Sequence, residues 1–245
     1  MIKVAVFGSN GRMGQEICQA VQQAKDLELV AAVDVTDDRT PVENADVVVD
    51  FTHPDAVMDN ISWCIEHGIH AVVGTTGFTP AKVDEVRSWL DAKPGVNVLI
   101  APNFSIAAVL MMHFAAKAAP FFESAEVIEL HHPRKVDAPS GTAVATARAI
   151  AAARSEADCP PMPDATLHET DRARGAVIDG VHVHSVRLQG LFAHQEVVLG
   201  NPGEMLTIRD DSFQRTSYMP GILTAIRAVT QRPGLTIGID ELLGL

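Results

Sequence analysis

The sequence predicts an α/β protein: a doubly wound parallel sheet plus a second α+β domain whose sheet is mainly antiparallel. Three observations carry this. Through the region ending near Asn103, short runs of Val, Ile and Ala alternate with stretches of helical apolar spacing, joined by short loops. After Asn103 that alternation stops. From Val181 to Ile208 apolar residues recur at alternate positions between Gly-containing turns, which is the pattern of strands with one covered face.

Taken in order, residues 2–7 read as a strand buried on both faces. Residues 12–24 place Ile17, Ala20, Val21 and Ala24 on one helical face. Residues 27–33 form the second strand, which ends at Asp34, and Val47-Val48-Val49 leads the third into Asp50-Phe51-Thr52. Pro54 marks a possible start for a helix carrying Val57, Ile61, Cys64 and Ile65. Ala71-Val72-Val73 is the fourth strand, Pro80 opens a helix with Val83, Val86 and Leu90, and residues 96–100 are the fifth strand. The apolar helix over residues 106–119 contains His113 and Lys117, so it suits a protein interior and not a bilayer.

A strand over residues 125–130 leads into a polar run and then an alanine-rich helix reaching about Arg154. Residues 155–175 mix Pro, Asp, Glu and Arg without period and read as a surface loop. A last helix over about residues 220–232 carries Ile222, Leu223, Ile226 and Val229, with Pro at its start and Gly234 beyond its end. The expected division is residues 1–104 with 216–245 as a dinucleotide-binding domain, and 105–215 as a substrate-binding and oligomerisation domain. Closure of one on the other is expected to accompany binding.

The formal net charge of −12 argues against nucleic acid as a partner, because phosphate backbones need a basic face. A small anionic substrate remains open, since a pocket can be basic on an acidic protein. Cys18, Cys64 and Cys159 stand singly, so neither a disulfide framework nor structural zinc is expected, and a cytoplasmic location follows. No signal peptide is expected from the N-terminal pattern, and no membrane association from the apolar helix over residues 106–119, which carries His113 and Lys117.

The first strand runs into Gly8-Ser9-Asn10-Gly11-Arg12-Met13-Gly14 and then a helix. Glycines there allow a tight turn and a close backbone approach to a pyrophosphate, which the helix N-terminus attracts. Asp34 lies twenty residues beyond Gly14, where a carboxylate can accept from a ribose hydroxyl. This is a Rossmann-type arrangement with GxxGxxG spacing, and it predicts a nicotinamide dinucleotide, NADH or NADPH. The loops Gly74-Thr75-Thr76-Gly77 and Ala101-Pro102-Asn103-Phe104 follow later strands, where such sheets bind ligands.

The densest chemistry lies in Glu129-Leu130-His131-His132-Pro133-Arg134-Lys135-Val136-Asp137-Ala138-Pro139-Ser140-Gly141-Thr142. Its imidazoles and cations sit in a short run on an acidic protein. Ser140-Gly141-Thr142 begins a helix, where hydroxyl and free N–H groups can hold a carboxylate.

Together GSNGRMG, VVDFTHP, VVGTTGF, APNFS and above all ELHHPRKVDAPSGTA closely resemble the dihydrodipicolinate reductase family of lysine and diaminopimelate biosynthesis, from the glycine turn to the last helix. The resemblance implies that Gly8, Ser9, Asn10, Gly11, Arg12, Met13 and Asp34 hold the adenosine and pyrophosphate. It assigns Gly74, Thr75, Thr76, Ala101, Pro102, Asn103 and Phe104 to the nicotinamide end. It makes His131 the proton donor or acceptor and Lys135 a second acid, with His132, Ser140, Gly141 and Thr142 on the carboxylates of a small anionic dicarboxylate. It implies a homotetramer joined through the second sheet. Pro133-Arg134, between the histidine pair and Lys135, is treated as variable. In the implied reaction a hydride reaches C4 of an unsaturated ring, and a proton then reaches the adjacent carbon.

Other readings fare worse. A semialdehyde dehydrogenase needs a catalytic Cys beside a base, which neither Cys64 nor Cys159 suggests. A zinc hydrolase from His182, His184 and His194 lacks a ligand motif, so no metal is expected. A non-catalytic dinucleotide sensor has no use for the basic segment.

Overall fold

The computed structural model describes all residues 1–245. Over its first part β1 (Ile2–Phe7), α1 (Arg12–Gln23), β2 (Leu27–Val33), β3 (Val47–Asp50), α2 (Val57–His67), β4 (His70–Val73), α3 (Pro80–Ala92) and β5 (Asn97–Ile100) alternate strand and helix. Val4, Val48, Val72, Val98 and Leu99 are fully buried, so these strands are covered on both faces, as the apolar runs require. The amphipathic helices supply the cover: Ile17 and Val21 of α1 and Val57, Ile61, Cys64 and Ile65 of α2 are all buried. Their ends follow local chemistry. The α2 helix stops at Gly68 in the left-handed region (φ 75°), and Pro80 opens α3 after the Thr79 side chain accepts from Lys82 N at 3.4 Å. Pro54 lies in a turn, His53 O accepting from Ala56 N, and α2 begins only at Val57.

The chain next builds α4 (Ile106–Ala118), β6 (Ser124–His131), α5 (Gly141–Glu156), β7 (Ala176–Ile178), β8 (Val181–Arg187), β9 (Ala193–Asn201) and β10 (Glu204–Ser212). Their sheet has the order β10-β9-β6-β8-β7. Every neighbouring pair is antiparallel except β6 with β8, which run parallel because α5 and the segment after it make a long crossover between them. Met111, Ala115, Ala143, Ala147 and Ile150 pack on Val127, Val183, Val197 and Leu199, which buries one face of the sheet. Residues of β6 alternate accordingly: Ala125, Val127 and Glu129 are buried, whereas Glu126, Ile128 and Leu130 are only half-buried.

The polar segment between α5 and β7 has no regular structure but is pinned by arginines. Arg154 is 5% exposed and donates to the carbonyls of Ala119, Phe122, Glu123 and Pro160; Arg174 pairs with Glu126 and with Asp164. Carbonyl acceptors satisfy the buried guanidinium without a counter-ion.

After α6 (Met219–Val229) comes β11 (Gly234–Ile237), a strand that the Gly-Leu-Thr-Ile run was too short to signal. It completes a six-stranded parallel sheet ordered β11-β5-β4-β3-β1-β2. The residues form two compact units, Met1–Ser105 with Tyr218–Leu245, and Ile106–Ser217. Strand order reverses at β1, between β2 and β3, so the carboxyl end of β1 is the crevice where such sheets take ligands.

Candidate active site

The glycine turn occupies that crevice, and each of its glycines is needed for a different reason. Gly8 has φ 78°, and a Cβ there would lie 2.6 Å from the Phe51 carbonyl oxygen. A Cβ on Gly14 would overlap the Gly8 carbonyl oxygen and lie 2.7 Å from Ser9 Cα, so this glycine lets α1 approach the turn. Gly11 is less crowded, with only the Gly8 oxygen at 3.1 Å from an added Cβ, and it lines an adjoining cleft of about 350 Å³. Gly11 is also the N-cap of α1 and has no side chain, so it offers no cap to the first N–H groups of the helix, on Arg12, Met13 and Gly14. A glycine cradle, an uncapped helix N-terminus and a cleft edged by a carboxylate fit a dinucleotide.

The carboxylate is Asp34. Its Oδ2 accepts from Asn10 N at 3.1 Å and its Oδ1 from Val35 N at 2.9 Å, which fixes the side chain at the cleft edge with lone pairs to spare. Arg39, which lines the same cleft, donates to Asn60 Oδ1 at 2.7 Å, and its guanidinium lies 5.0 Å from the Phe7 ring centroid. Arg12 is exposed and does not line this cleft.

The two later loops are placed beside the same sheet ends, but much of their side-chain chemistry is turned inward. Thr75 is 6% exposed; its hydroxyl donates to Asp50 Oδ1 at 2.6 Å and accepts from Thr52 N at 2.8 Å. Asp50 also accepts from Asn60 Nδ2 at 2.7 Å, which ties this loop to the residue holding Arg39. Gly74 leaves room for the Phe51 ring, and Phe104 is buried against that ring at 5.7 Å. Ala101 is buried as well, and Asn103 Oδ1 accepts from Ser105 N at 2.8 Å. These loops therefore offer mainly backbone, together with the exposed Thr76 and Pro102.

In the other unit the basic segment surrounds a residue to which the motif reading assigned no role. Glu129 is fully buried at the end of β6. Its Oε2 lies 2.5 Å from His131 Nδ1, and Arg187 donates to both carboxylate oxygens at 2.8 Å. Burial pushes the carboxyl pKa up, but hydrogen bonds from His131 and Arg187 outweigh it and hold the value at about 2. Arg187 Nη2 also donates to the Asp137 carbonyl at 2.6 Å, and Lys135 Nζ donates to Asp137 Oδ1 at 2.7 Å. Ser140 caps α5 by accepting from Ala143 N at 3.1 Å, while its own N–H donates to Glu129 Oε1 at 3.1 Å. His132 follows the end of β6 directly, its ring 6.5 Å from that of Phe192. His131, Lys135 and the Ser140-Gly141-Thr142 helix start are thus linked through Glu129, Arg187 and Asp137.

The competing chemistries find no support here. His184 Nε2 is 2.6 Å from Glu126, His182 Nδ1 is 2.7 Å from the Arg174 carbonyl, and His194 Nδ1 is 2.7 Å from Asp211, each held in its own pairing. No group of three or more His, Cys, Asp or Glu side chains is arranged to hold a metal ion. Burial raises the Cys64 thiol far above its usual range, which leaves it unreactive as a nucleophile. No helix is long and apolar enough to cross a membrane.

The parallel sheet, its glycine turn and the basic segment of the second unit define a dinucleotide-dependent reductase. Residues 2–104 match the family model described as dihydrodipicolinate reductase, N-terminus, and residues 107–243 the one described as dihydrodipicolinate reductase, C-terminus. The chain belongs to the dihydrodipicolinate reductase family, whose members use NAD(P)H. It is 63% identical over 245 residues to a Cutibacterium acnes protein named 4-hydroxy-tetrahydrodipicolinate reductase, covering 100% of both chains. A Thermobifida fusca protein of the same name is 66% identical over 246 residues, again with 100% of both covered. Among solved structures, the dipicolinate-bound dihydrodipicolinate reductase from Paenisporosarcina sp. TG-14 superposes with a TM-score of 0.84 at 36% identity, over 98% of this chain and 99% of that one.

Proposed function

We propose that this chain reduces 4-hydroxy-tetrahydrodipicolinate to tetrahydrodipicolinate with NADH or NADPH, in lysine and diaminopimelate biosynthesis. The observation that carries the reading is the cluster of His131, Lys135 and the capped helix start at Ser140, gathered in a chain of this family. Overall the substrate loses water, its hydroxyl leaving together with a proton from the adjacent ring carbon, and gains a hydride and a proton. When bound, the nicotinamide supplies the hydride.

The chain's own residues do the rest. The uncapped N–H groups of α1 hold pyrophosphate, the turn from Gly8 to Met13 wraps it, and Asp34 accepts from the adenosine ribose. Backbone of residues 74–76 and 101–104 borders the nicotinamide. His131 delivers a proton to the ring carbon beside the reduced one. Lys135 exchanges Asp137 for the substrate and stabilises negative charge as it develops. Ser140 can donate its hydroxyl hydrogen while its oxygen still caps α5, so it joins Gly141, Thr142 and His132 in holding a carboxylate. That the Paenisporosarcina relative is dipicolinate-bound supports a ring dicarboxylate at this unit.

The half-buried face of the second sheet, with Ile128, Leu130 and Val198, supports a homotetramer joined through that sheet. Three free cysteines in a biosynthetic reductase support a cytoplasmic setting. The test is oxidation of NADH that depends on freshly generated 4-hydroxy-tetrahydrodipicolinate and is inhibited competitively by dipicolinate. Oxidation at the same rate without substrate contradicts the proposal.

A further inference from the structure

Glu129 offers both oxygens to three segments at once. Oε2 faces His131 Nδ1 at 2.5 Å and Arg187 Nη1 at 2.8 Å; Oε1 accepts from Arg187 Nη2 at 2.8 Å and from Ser140 N at 3.1 Å. It does so while fully buried on the apolar side of β6, beside the same row as Ala125 and Val127. A buried ion pair gives little net stability over apolar packing of the same volume, so stability alone is a poor reason to keep one here. We propose that Glu129 is a positioning residue: its carboxylate fixes His131 as the Nδ1–H tautomer and pins the start of α5. His131 Nε2 and the Ser140-Gly141-Thr142 turn are thereby held in one register for the substrate. The inference rests on the reading of these residues as the substrate end.

The chemistry at each contact is determined. An ionised carboxylate can only accept, so the proton between Glu129 and His131 belongs to Nδ1. Nε2 is then the one imidazole atom free to carry a proton toward the ring and to be left with a lone pair afterwards. A histidine without this partner can hold its one proton on either nitrogen, and as the Nε2–H tautomer it has no lone pair there to take up from solvent the proton it then delivers to the ring. The same carboxylate takes the Ser140 N–H, so a displacement of α5 would move the proton donor with it.

Arg187 completes the device. It stands opposite His131 in the β6–β8 register and meets Glu129 with both terminal nitrogens. Its charge cancels that of Glu129, so the buried carboxylate does not repel an anionic substrate bound nearby. Its remaining bond, to the Asp137 carbonyl at 2.6 Å, extends the same anchorage to the turn that carries Lys135.

The test combines a measurement on the parent with variants. In protein labelled with 15N-histidine, His131 should show a protonated Nδ1 and an unprotonated Nε2 at mildly alkaline pH. Glu129→Gln should mix the tautomers, lower kcat about ten- to hundredfold and raise the substrate KM, with dinucleotide affinity unchanged. Glu129→Asp, which keeps the charge, should recover part of that turnover. An Nε2–H tautomer in the parent overturns the proposal whatever the variants do. If His131→Ala abolishes turnover while Glu129→Gln keeps the parent kcat, the positioning role fails and the substrate-end reading stands. If His131→Ala itself keeps full turnover, that reading fails and the proposal with it.

Discussion

Gly14→Ala and Gly11→Ala separate a glycine that the fold needs from one that a ligand needs. At Gly14 the new methyl would sit 2.7 Å from Ser9 Cα and overlap the Gly8 carbonyl oxygen. Carbon–carbon contacts normally rest at about 3.5–4.0 Å, so backbone must move by about 1 Å. Overpacking of this kind costs about 3 kcal/mol when no flexible side chain can yield, and alanine's better helix propensity returns about 1 kcal/mol. The net loss of about 2 kcal/mol should lower the melting temperature by about 5 °C in a chain of this size, and NADH affinity should fall because the turn has shifted. At Gly11 φ is −69°, which alanine adopts freely, and the nearest atom to an added Cβ is 3.1 Å away. Gly11→Ala should therefore melt within about 2 °C of the parent yet bind NADH at least about tenfold more weakly, since the methyl enters the cleft. Thermal melts and NADH fluorescence titration of the pair decide it. Equal affinity for NADH in the parent and Gly11→Ala refutes the placement of the dinucleotide.

Lys135→Ala should lose turnover by about a hundredfold with NADH affinity unchanged, and His131→Ala should behave alike; a parallel loss of cofactor binding would show the pocket to be misassigned. NADH should serve at least as well as NADPH, by less than about tenfold in kcat/KM at fixed ionic strength, because Asp34 repels a 2′-phosphate. Arg39, not Arg12, lines the cleft beside Asp34, so Arg39→Ala should widen that preference; an unchanged ratio refutes its role. Folding should also carry the mark of Glu129, whose carboxyl is held at about 2 against an ordinary 4.5. A depressed folded-state pKa gives stability that is present above 4.5 and is lost as pH falls through about 2. The stability gap between the parent and Glu129→Gln should narrow over that window, and parallel curves would contradict it. Light scattering at micromolar concentration should give four chain masses, and a monomer would exclude the tetramer.

Periodicity carried most of the fold because parallel strands buried on both faces and amphipathic helices are written in adjacent residues. Val47-Val48-Val49 and the Val57, Ile61, Cys64 and Ile65 stripe needed no tertiary information. The β11 strand was missed because four residues after a helix carry too little pattern, and the parallel pairing of β6 with β8 depends on a crossover whose path the sequence does not state. The functional segments were legible as motifs, but their partners were not. Glu129 falls on the buried side of an alternating strand, a signal available from the Ala125, Val127, Glu129 spacing, whereas Arg187 meets it only through strand register. Thr75 illustrates the reverse case: a hydroxyl in a promising loop is spent on Asp50, which only the folded chain reveals.

The most direct measurement follows the hydride itself. With reduced cofactor deuterated at the transferring position of the nicotinamide and 4-hydroxy-tetrahydrodipicolinate as substrate, the tetrahydrodipicolinate formed should carry one deuterium, on ring C4, for each cofactor oxidised. Cofactor oxidation that leaves the ring without deuterium would contradict hydride delivery to a bound dicarboxylate, and with it the assignment of this chain as a reductase of that substrate.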